Sequence, residues 1–467
     1  MNDETRRAIE RDQRHLWHPF TPIDGWLDPD FEPVMIASGD GATLTDTEGR
    51  TYLDGNSSIW TNLHGHKHPA INAAVEAQLG RIAHSSSLGL GNPAAAELAE
   101  KLAGLMPPEE GPFRVFLSDD GSTAIECALK IAWQYFQQNG QEQRTEFVTL
   151  SGGYHGDTIG AMSLGKSGSF HAPFQPLMFP THEAPAPDCV RGPGWRENPP
   201  RTPAHRSDHA GAVAEQALAR LEALFESLDT RAAALVLEPK VMGPGGMMMQ
   251  PEGYLRAAAA IARRHGALVI LDEVMTGFGR TGRMLAQQHE GVTADLTALA
   301  KGLTGGYLPL GATLIRERLF DGFRGGLERT FFHGHSYCGN QLGCAAALAN
   351  LHLFETEPVR ERVAALADNL REASQVFWNL EHTADVRQEG AILAVELVAD
   401  AQTREPFPAK RRLAYQICER ARHEGLLTRG LGATLFLLPP FCTTPEQVRQ
   451  MVQVLEKAAR ETLSGLA

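Results

Sequence analysis

Two short apolar segments of this chain each end on a residue that could do chemistry. The segment 267–271, ALVIL, is followed directly by Asp272 and Glu273, and the segment 296–300, LTALA, is followed by Lys301. A carboxylate at the end of a buried strand is costly unless something pairs with it. A partly buried lysine has a lowered pKa, which suits Schiff-base chemistry, although an arbitrary lysine is far more often a solvated surface residue.

The combination of such a lysine with such an aspartate is typical of one cofactor. In enzymes that use pyridoxal 5'-phosphate (PLP), a lysine forms a Schiff base with the aldehyde and an acidic residue pairs with the pyridinium nitrogen. Lys301 and Asp272 could fill these two roles, and the ring nitrogen would then be the partner that the Asp272 carboxylate needs. The sequence therefore predicts a PLP site.

The cofactor phosphate needs its own binding element, and residues 118–126, SDDGSTAIE, provide a candidate. Gly121 allows a tight turn, and Ser122 and Thr123 open a predicted helix whose first backbone N–H groups could bind an anion. Thr123 and Glu126 also match a capping box, so helix capping alone is an alternative explanation. Tyr154, in GGYHGDT, could stack on the cofactor ring or be an ordinary core tyrosine.

Apolar patterns predict the elements that would position these residues. Strands are expected at 113–118, 146–151, 233–239, 267–273 and 296–300, with helices among them at 123–138, 213–227 and 253–265. This alternation indicates an α/β protein with a mostly parallel, doubly wound sheet, which binds ligands at the carboxyl ends of its strands. The polar residues near such strand ends are Ser118, Tyr154, Glu238, Asp272 and Lys301.

The chain is long for one domain, and three regions are predicted. Residues 1–69 form an arm and strands that pack with the small domain, residues 70–335 form the large domain that binds PLP, and residues 336–467 form the smaller C-terminal α/β domain. The segment 183–211 is rich in Pro, Gly and Arg. We expect it to be an irregular surface loop, either functional or a tolerated insertion.

Composition argues against several classes of partner. The formal net charge of −13 argues against nucleic acid or an anionic membrane. The charged N-terminus lacks the apolar region of a signal peptide, and no apolar stretch is long enough to span a bilayer. The six cysteines are scattered without a C-x-x-C pair, which suggests reduced thiols, so we expect a cytoplasmic protein.

Taken together, LDEVMTGFGRTG (271–282) and ALAKGLTGGYLP (298–309) resemble the class III PLP-dependent aminotransferases. Five further stretches are similar to the branch of this family that converts 8-amino-7-oxononanoate to 7,8-diaminononanoate in biotin biosynthesis: LWHPFTP (16–22), LDGNSSIWTNLHGHKHP (53–69), YHGDTIGAMSLG (154–165), FFHGHSYCGNQLGCAAALANL (331–351) and LLTRGLGATLFLLPP (426–440). The resemblance runs from about residue 10 to 460. It implies a PLP-dependent transferase of fold type I, a homodimer with its sites at the dimer interface, that acts on small-molecule substrates.

The resemblance implies roles for the cofactor-binding residues. Gly121 and Ser122 would hold the phosphate. Tyr154 would lie against the ring, and it would also contact the substrate and take part in catalysis. Asp272 would pair with the pyridine nitrogen, and Lys301 would form the Schiff base. Freed from the cofactor by the incoming amine, Lys301 would then act as general base and acid in a ping-pong transfer.

It also implies roles for residues that bind substrate or the cofactor of the neighbouring subunit. Ser336 stands where the family usually has Thr, and with His335 it would contribute to cofactor binding, its hydroxyl reaching the neighbouring subunit's phosphate. Trp60 would contact the substrate, and Gly334 would lie where the keto acid passes. Arg429 would grip the carboxylate of 8-amino-7-oxononanoate, for which a guanidinium fork is a good match.

Some positions depart from the family pattern. Ile59 stands where many relatives have a second Trp beside Trp60, and Phe20 and Phe436 stand where many have Tyr. These differences change the donor pocket, so the amino donor is either S-adenosylmethionine or lysine. Met242 stands where class III members usually have a Gln that bonds the ring hydroxyl, so another group or water must serve there.

Other interpretations stay open at this point. The histidines of HGHKH (64–68) and HGH (333–335) could bind a metal, but no cysteine or carboxylate spacing supports such a site. Another class III ω-aminotransferase, acting on a diamine or β-amino acid, is the nearest alternative, and an aminomutase would use the same scaffold. A non-catalytic PLP-binding protein is a third class, against which the intact Lys301 argues. Arg429 favours the biotin-pathway substrate.

Overall fold

The computed structural model describes residues 1–165, 168–189 and 203–465 of the chain. At its centre is a seven-stranded sheet whose strands lie in the order Phe113–Ser118, Gly311–Arg316, Leu296–Leu299, Leu268–Asp272, Ala232–Leu237, Glu146–Leu150 and His182–Ala184. Neighbouring strands are parallel except that Gly311–Arg316 runs antiparallel to both of its neighbours. The predicted α/β fold with a mostly parallel sheet is therefore confirmed, with one reversed strand that was not predicted.

The middle of this sheet is buried on both faces. Alternate residues of the strand Leu268–Asp272 belong to two different apolar clusters, and successive side chains of a strand point to opposite faces. One cluster contains the buried side of the helix Gly121–Gln137, and the other contains residues of the helices Pro203–Leu228 and Tyr254–Arg264. The sheet is thus covered by helices on both sides, which explains why its central strands are almost entirely apolar.

The longer helices alternate with the strands in the first part of the chain and dominate the last part. They are Asp3–His15, Pro69–Leu79, Pro93–Ala103, Gly121–Gln137, Pro203–Leu228, Tyr254–Arg264, Gln341–Thr356, Val359–Ala373, Leu413–His423 and Pro445–Ser464. Shorter helices cover Ile23–Trp26, Ile159–Gly165, Gly168–His171 and Glu317–Asp321. Among the described residues, no helix is long and apolar enough to cross a membrane.

The prediction of an irregular loop over 183–211 is wrong at both ends of that segment. Its first residues belong to the edge strand His182–Ala184, and its last residues belong to a helix that begins at Pro203. Proline is compatible with the first turn of a helix, where its missing N–H would have no partner in any case. The Pro and Gly content of the segment therefore hid the start of a helix. Residues 190–202 of the predicted loop lie outside the described residues.

Two smaller sheets flank the central one. The strands Ile36–Asp40, Thr43–Asp46 and Thr51–Asp54 form an antiparallel sheet, which the short strand Leu426–Leu427 extends by parallel pairing with the third of them. The other sheet has the order Thr383–Glu389, Ile392–Leu397, Thr434–Leu437 and Arg429–Leu431. A two-stranded ladder joins Val241–Met242 to Met248–Met249. The first of these sheets directly connects the N-terminal and C-terminal parts of the chain.

Candidate active site

The carboxyl ends of the parallel strands border a cavity of about 410 Å³. Its lining includes residues at or just after the ends of four strands and at the start of one helix, namely Gly121, Ser122, Tyr154, Glu238, Asp272 and Lys301. The structure therefore brings together the polar residues that follow the strands, as expected for the binding edge of an open α/β sheet. Ser118 is the exception, because it is fully buried and does not line the cavity.

Lys301 begins a short 3₁₀ turn, Lys301–Thr304, directly after a strand, with a left-handed backbone φ of 46°. A buried asparagine secures this turn. The Asn350 side chain donates to the carbonyl oxygens of Gly302 and Leu303, at 3.0 Å in both cases, and accepts from His64 Nε2 at 2.8 Å. Burial lowers the pKa of Lys301, although the negative charges of Asp272 and Glu238 oppose that effect.

Asp272 has a protein partner that the sequence did not indicate. The His155 ring donates from Nδ1 to Asp272 Oδ2 at 2.8 Å, and the Val274 backbone N–H donates to Asp272 Oδ1 at 3.0 Å. Burial by itself disfavours a protonated His155, but the hydrogen bond and charge of Asp272 outweigh burial and raise the pKa of His155. In the sequence, only the adjacency of His155 to Tyr154 in GGYHGDT marks this histidine.

Glu238 supplies a second carboxyl group to the cavity. It accepts the backbone N–H groups of Tyr154 at 3.1 Å and Gly243 at 2.8 Å. Burial raises the pKa of Glu238 to about 7 and outweighs the opposing effect of His155, while the nearby Asp272 charge adds a smaller contribution in the same direction as burial. Near neutral pH the site therefore holds a carboxyl group poised between its two protonation states beside a buried amine.

The helix Gly121–Gln137 presents its N-terminus to the cavity. Its N-cap is Asp120, whose side chain accepts the Thr123 N–H at 2.8 Å, so the predicted capping box from Thr123 to Glu126 is wrong by one turn. Glu126 instead accepts the Gly160 N–H at 2.7 Å in a neighbouring helix. The amides of Gly121 and Ser122 belong to the first turn, where backbone donors have no partner within the helix.

Glycines keep this helix start accessible. A Cβ on Gly121 would lie 2.6 Å from Val274 Cγ1, and a Cβ on Gly156 would clash with the Ser122 hydroxyl. Ser122 Oγ accepts the Asp157 N–H at 3.1 Å, which ties the helix start to the loop that carries Tyr154. The result is a small cradle bordered by free backbone donors, which suits an anion such as phosphate.

Tyr154 is held at the cavity wall by one side chain from its own loop and by another from the short helix Gly168–His171. Its hydroxyl donates to Asp157 Oδ2 at 2.8 Å, and its ring stacks on that of His171 with the centroids 5.6 Å apart. Burial and the hydrogen bond to Asp157 raise the pKa of Tyr154. The tyrosine is thus a fixed, neutral aromatic face.

Trp60 contacts Lys301, and its own backbone has a left-handed conformation. Its ring centroid lies 4.8 Å from Lys301 Nζ and 5.8 Å from the ring of Phe436. The four residues Ser57–Trp60, here called the left-handed turn, all have positive φ, between 47° and 67°. Left-handed backbone costs roughly 1–2 kcal/mol for each residue other than glycine, so this turn stores strain directly beside the candidate catalytic lysine.

Other predicted site residues lie outside the cavity lining. Gly334 and Ser336 are exposed, and Arg429 is exposed on its short strand. His335 approaches the cavity through Asp119, a lining residue, with 3.5 Å between its Nδ1 and the carboxylate. The described chain alone therefore does not bring these four residues into the cavity.

Met242, which stands where the family usually has Gln, is only 1% exposed, packs in an apolar cluster and does not line the cavity. Met275 does line the cavity.

The histidines of HGHKH have protein partners instead of a metal geometry. His64 donates to Asn350, His66 Nε2 donates to Asp54 at 2.9 Å, and His68 lies 3.5 Å from Glu357. In the parts of the chain that the structure describes, no three His, Cys, Asp or Glu residues are grouped so that they could hold a metal ion.

The fold and a buried amine beside a carboxylate define a PLP-dependent enzyme of the transaminase type. The chain belongs to the class-III aminotransferase family, whose model matches residues 28–459. It is 44% identical, over 99% of both chains, to the adenosylmethionine-8-amino-7-oxononanoate aminotransferase of Geobacter sulfurreducens.

Two solved structures have closely similar folds. The adenosylmethionine-8-amino-7-oxononanoate aminotransferase of Methanocaldococcus jannaschii has a TM-score of 0.88 and 35% identity, covering 98% of this chain and 99% of that one. A PLP-bound amine transaminase from an uncultivated Pseudomonas species also has a TM-score of 0.88, with 34% identity over 96% of this chain and 99% of that one.

The cofactor of this transaminase is therefore PLP, and the cavity fits it. The lining provides an amine at Lys301, an acid at Asp272, a flat aromatic face at Tyr154 and free backbone donors at the start of the helix Gly121–Gln137. These match in turn the aldehyde, the ring nitrogen, the ring and the phosphate of PLP.

Proposed function

We propose that this protein transfers an amino group to 8-amino-7-oxononanoate and so produces 7,8-diaminononanoate, with S-adenosylmethionine or lysine as the donor. The observation that carries the proposal is the buried Lys301 beside the Asp272–His155 pair, in a chain that is 44% identical to a relative named for this substrate over 99% of both lengths. The same arrangement would serve other amine donors, so the substrate needs a direct test.

Lys301 is the residue we assign to covalent attachment and proton transfer. When bound, PLP supplies an electron-withdrawing ring that stabilises negative charge on the substrate carbon that carries the amino group. Burial lowers the pKa of Lys301, so a larger fraction of its Nζ is neutral and able to accept a proton. Its general-base contribution is expected to be about 10²–10⁴-fold.

Asp272 is the residue we assign to the ring nitrogen. His155 and the Val274 N–H fix the orientation of its carboxylate, which leaves the rest of the carboxylate free to face the cavity. Gly121 and Ser122 would bind the phosphate through their backbone N–H groups. Tyr154, held by Asp157, would orient the ring.

We further propose a homodimer in which a second copy completes the site. Gly334, His335 and Ser336 lie on a segment next to large apolar side chains that are exposed in the single chain, with Phe332 70% and Tyr337 58% exposed. A partner covering this segment would bury that apolar surface and carry His335 and Ser336 toward its own cofactor phosphate. A cytoplasmic location stays a prediction.

Arg429 is the residue we assign to the substrate carboxylate. It is exposed, and among the described residues its guanidinium makes no hydrogen bond or ion pair, although its backbone pairs with Phe436 in the sheet. A guanidinium without a protein partner is free to bind a carboxylate in a bidentate way. The Trp60 face, which lies 4.8 Å from Lys301 Nζ, would contact the same substrate nearer to that amine.

The test is a product assay with purified protein loaded with PLP. The enzyme is mixed with 8-amino-7-oxononanoate and either S-adenosylmethionine or lysine, and 7,8-diaminononanoate is measured by mass spectrometry. We expect product with one of the two donors and none with the Lys301→Ala variant. The donor that works settles the choice between the two.

A parallel reaction separates the alternatives. Pyruvate replaces the 8-amino-7-oxononanoate as acceptor, and simple diamines or β-amino acids are offered as donors. Turnover here without any diaminononanoate in the first assay would overturn the proposal in favour of a general ω-aminotransferase. Isomerised substrate without amino transfer would indicate an aminomutase.

A further inference from the structure

The left-handed turn Ser57–Trp60 has two features that disfavour it energetically. None of its residues is glycine, yet Ser58 and Ile59 have φ of 48° and 64°, a backbone that L residues rarely adopt. The buried Trp60 indole N–H also has no acceptor among the described residues. A segment chosen only for stability would avoid both features, and strain of this kind clusters at functional sites.

One carboxylate holds the turn in this shape. Asp54 is 2% exposed, and its Oδ1 accepts the backbone N–H groups of Asn56 at 3.2 Å and Ser58 at 3.1 Å. Its Oδ2 accepts the Ser58 hydroxyl at 3.1 Å and His66 Nε2 at 2.9 Å. The two bonds from Ser58 tie the turn to the end of the strand, and the bonds from Asn56 and His66 hold the Asp54 carboxylate in place beside it.

The turn ends on Trp60, whose ring lies 4.8 Å from Lys301 Nζ. In a left-handed turn the side chains point in directions that a right-handed turn of the same sequence would not allow. If the turn relaxed, the Trp60 ring would leave Lys301. A cation held over the face of Trp at this distance is attracted by the ring.

We propose that Asp54 is a positioning residue, which holds the left-handed turn so that Trp60 covers Lys301. The proposal rests on the proposed role of Lys301 but does not depend on which substrate the enzyme uses. Asp54 itself does not line the cavity, and it acts only through Trp60.

The chain offers a matched control in Asp46. This aspartate is 3% exposed, lies in the same small sheet, and also accepts several hydrogen bonds, from Arg50, Glu48 and Tyr52. It has no bond to the left-handed turn among the described residues. Asp46→Asn therefore reproduces the loss of a buried charge without releasing Trp60.

The experiment reports on Trp60 directly. Protein labelled with 5-fluorotryptophan is studied by fluorine NMR, with the Trp60 signal assigned by its loss in Trp60→Phe. Asp54→Asn is expected to shift the Trp60 signal toward that of a water-exposed indole, whereas Asp46→Asn leaves it in place. An unchanged signal in Asp54→Asn, or an equal shift in Asp46→Asn, would overturn the proposal.

A second pair of variants covers the case in which Asp54→Asn does not fold. Ser58→Ala and Ser58→Gly both lose the hydroxyl that Asp54 accepts, but only glycine adopts positive φ without strain. We expect the Trp60 signal to move in Ser58→Ala and to stay in Ser58→Gly. If the Trp60 signal instead moved only in Ser58→Gly, or behaved in the same way in both variants, strain in the turn would not control the position of Trp60.

Kinetics then connect the turn to Lys301. In a single half-reaction with any amine donor that the enzyme accepts, we expect Asp54→Asn to lower the rate constant about tenfold, because Trp60 no longer holds Lys301 in its reacting position. Adding Ser58→Gly to Asp54→Asn should restore part of the rate. If no biotin-pathway product forms but the Trp60 signal responds as stated, the proposed substrate fails while the role of Asp54 stands.

Discussion

His155 offers the sharpest test of how the Asp272 carboxylate is positioned. Replacing it with Leu removes the 2.8 Å hydrogen bond to Asp272 Oδ2 and leaves that oxygen facing an apolar side chain. Removing one partner of a buried ion pair costs about 3–5 kcal/mol. Asp272 keeps the Val274 N–H as a second donor, so we place the loss at the lower end, about 3 kcal/mol.

That energy predicts a large kinetic effect, because Asp272 must hold its orientation toward the cofactor ring during the reaction. When all of this loss of about 3 kcal/mol falls on the transition state, kcat/KM decreases roughly a hundredfold, which is the upper bound of the expected effect. His155→Asn is the matched control, since the asparagine amide can donate from nearly the same place as Nδ1. We expect it to keep kcat/KM within about tenfold of the wild type.

The assay is the half-reaction with a saturating amine donor, followed by the change in cofactor absorbance, with unfolding in urea measured in parallel. If His155→Leu keeps kcat/KM within threefold of the wild type, the His155 bond does not position Asp272. The reasoning would be refuted equally by a His155→Asn variant that is no more active than His155→Leu.

The same variant carries a pH signature. The folded protein raises the pKa of His155, so this group adds stability that is fully present below its unfolded pKa of about 6.5 and is lost as the pH rises through the folded value. The difference in free energy of unfolding between the wild type and His155→Leu should therefore narrow as the pH increases. If the difference in free energy of unfolding between the two proteins grew with pH, His155 would not have a raised pKa in the folded protein.

Three further predictions address the cofactor. Lys301→Ala should keep weak PLP binding but lose covalent attachment and at least a hundredfold of the transamination rate, as measured by borohydride fixation and by turnover. Asp272→Asn should lower kcat by about a hundredfold with little change in PLP content, and near-normal turnover would remove it from the site. Gly156→Ala should weaken PLP binding about tenfold in a fluorescence titration, because its φ of 122° is strained for alanine and the new Cβ meets Ser122. Gly152→Ala, with φ of 74° but open space around it, is the control.

The strand ends and the lysine could be predicted from the sequence because their signals are local. An apolar run followed by a charged residue marks both Asp272 and Lys301, and the order of elements then places them on one edge of the sheet. The division of the chain near residues 69 and 335 remains a prediction. No strand was predicted at Gly311–Arg316, and its reversed direction could not have been predicted either, because direction within a sheet leaves little trace in the sequence of one strand.

The partners of these residues could not be predicted in the same way. The bond from His155 to Asp272 and the bonds from Asn350 to the turn after Lys301 join residues that are far apart along the chain. The left-handed turn gave no signal either, because Ser57–Trp60 contains no glycine to mark positive φ. Such features depend on the assembled fold, which supplies the bonds that hold a locally unfavourable conformation.

The surroundings of Lys301 follow from what its amine must do. Among the described residues, Nζ has no hydrogen-bond acceptor, and its contact with Trp60 is through the ring face. A salt bridge would fix the amine in its protonated form and oppose attack on a carbonyl carbon. The protein instead fixes the lysine through its backbone, with Asn350 holding the carbonyls of Gly302 and Leu303. On the other side, Asp54 holds the left-handed turn and thereby fixes Trp60. The charged and strained groups that position the amine therefore do not contact Nζ themselves, and Nζ is free to react.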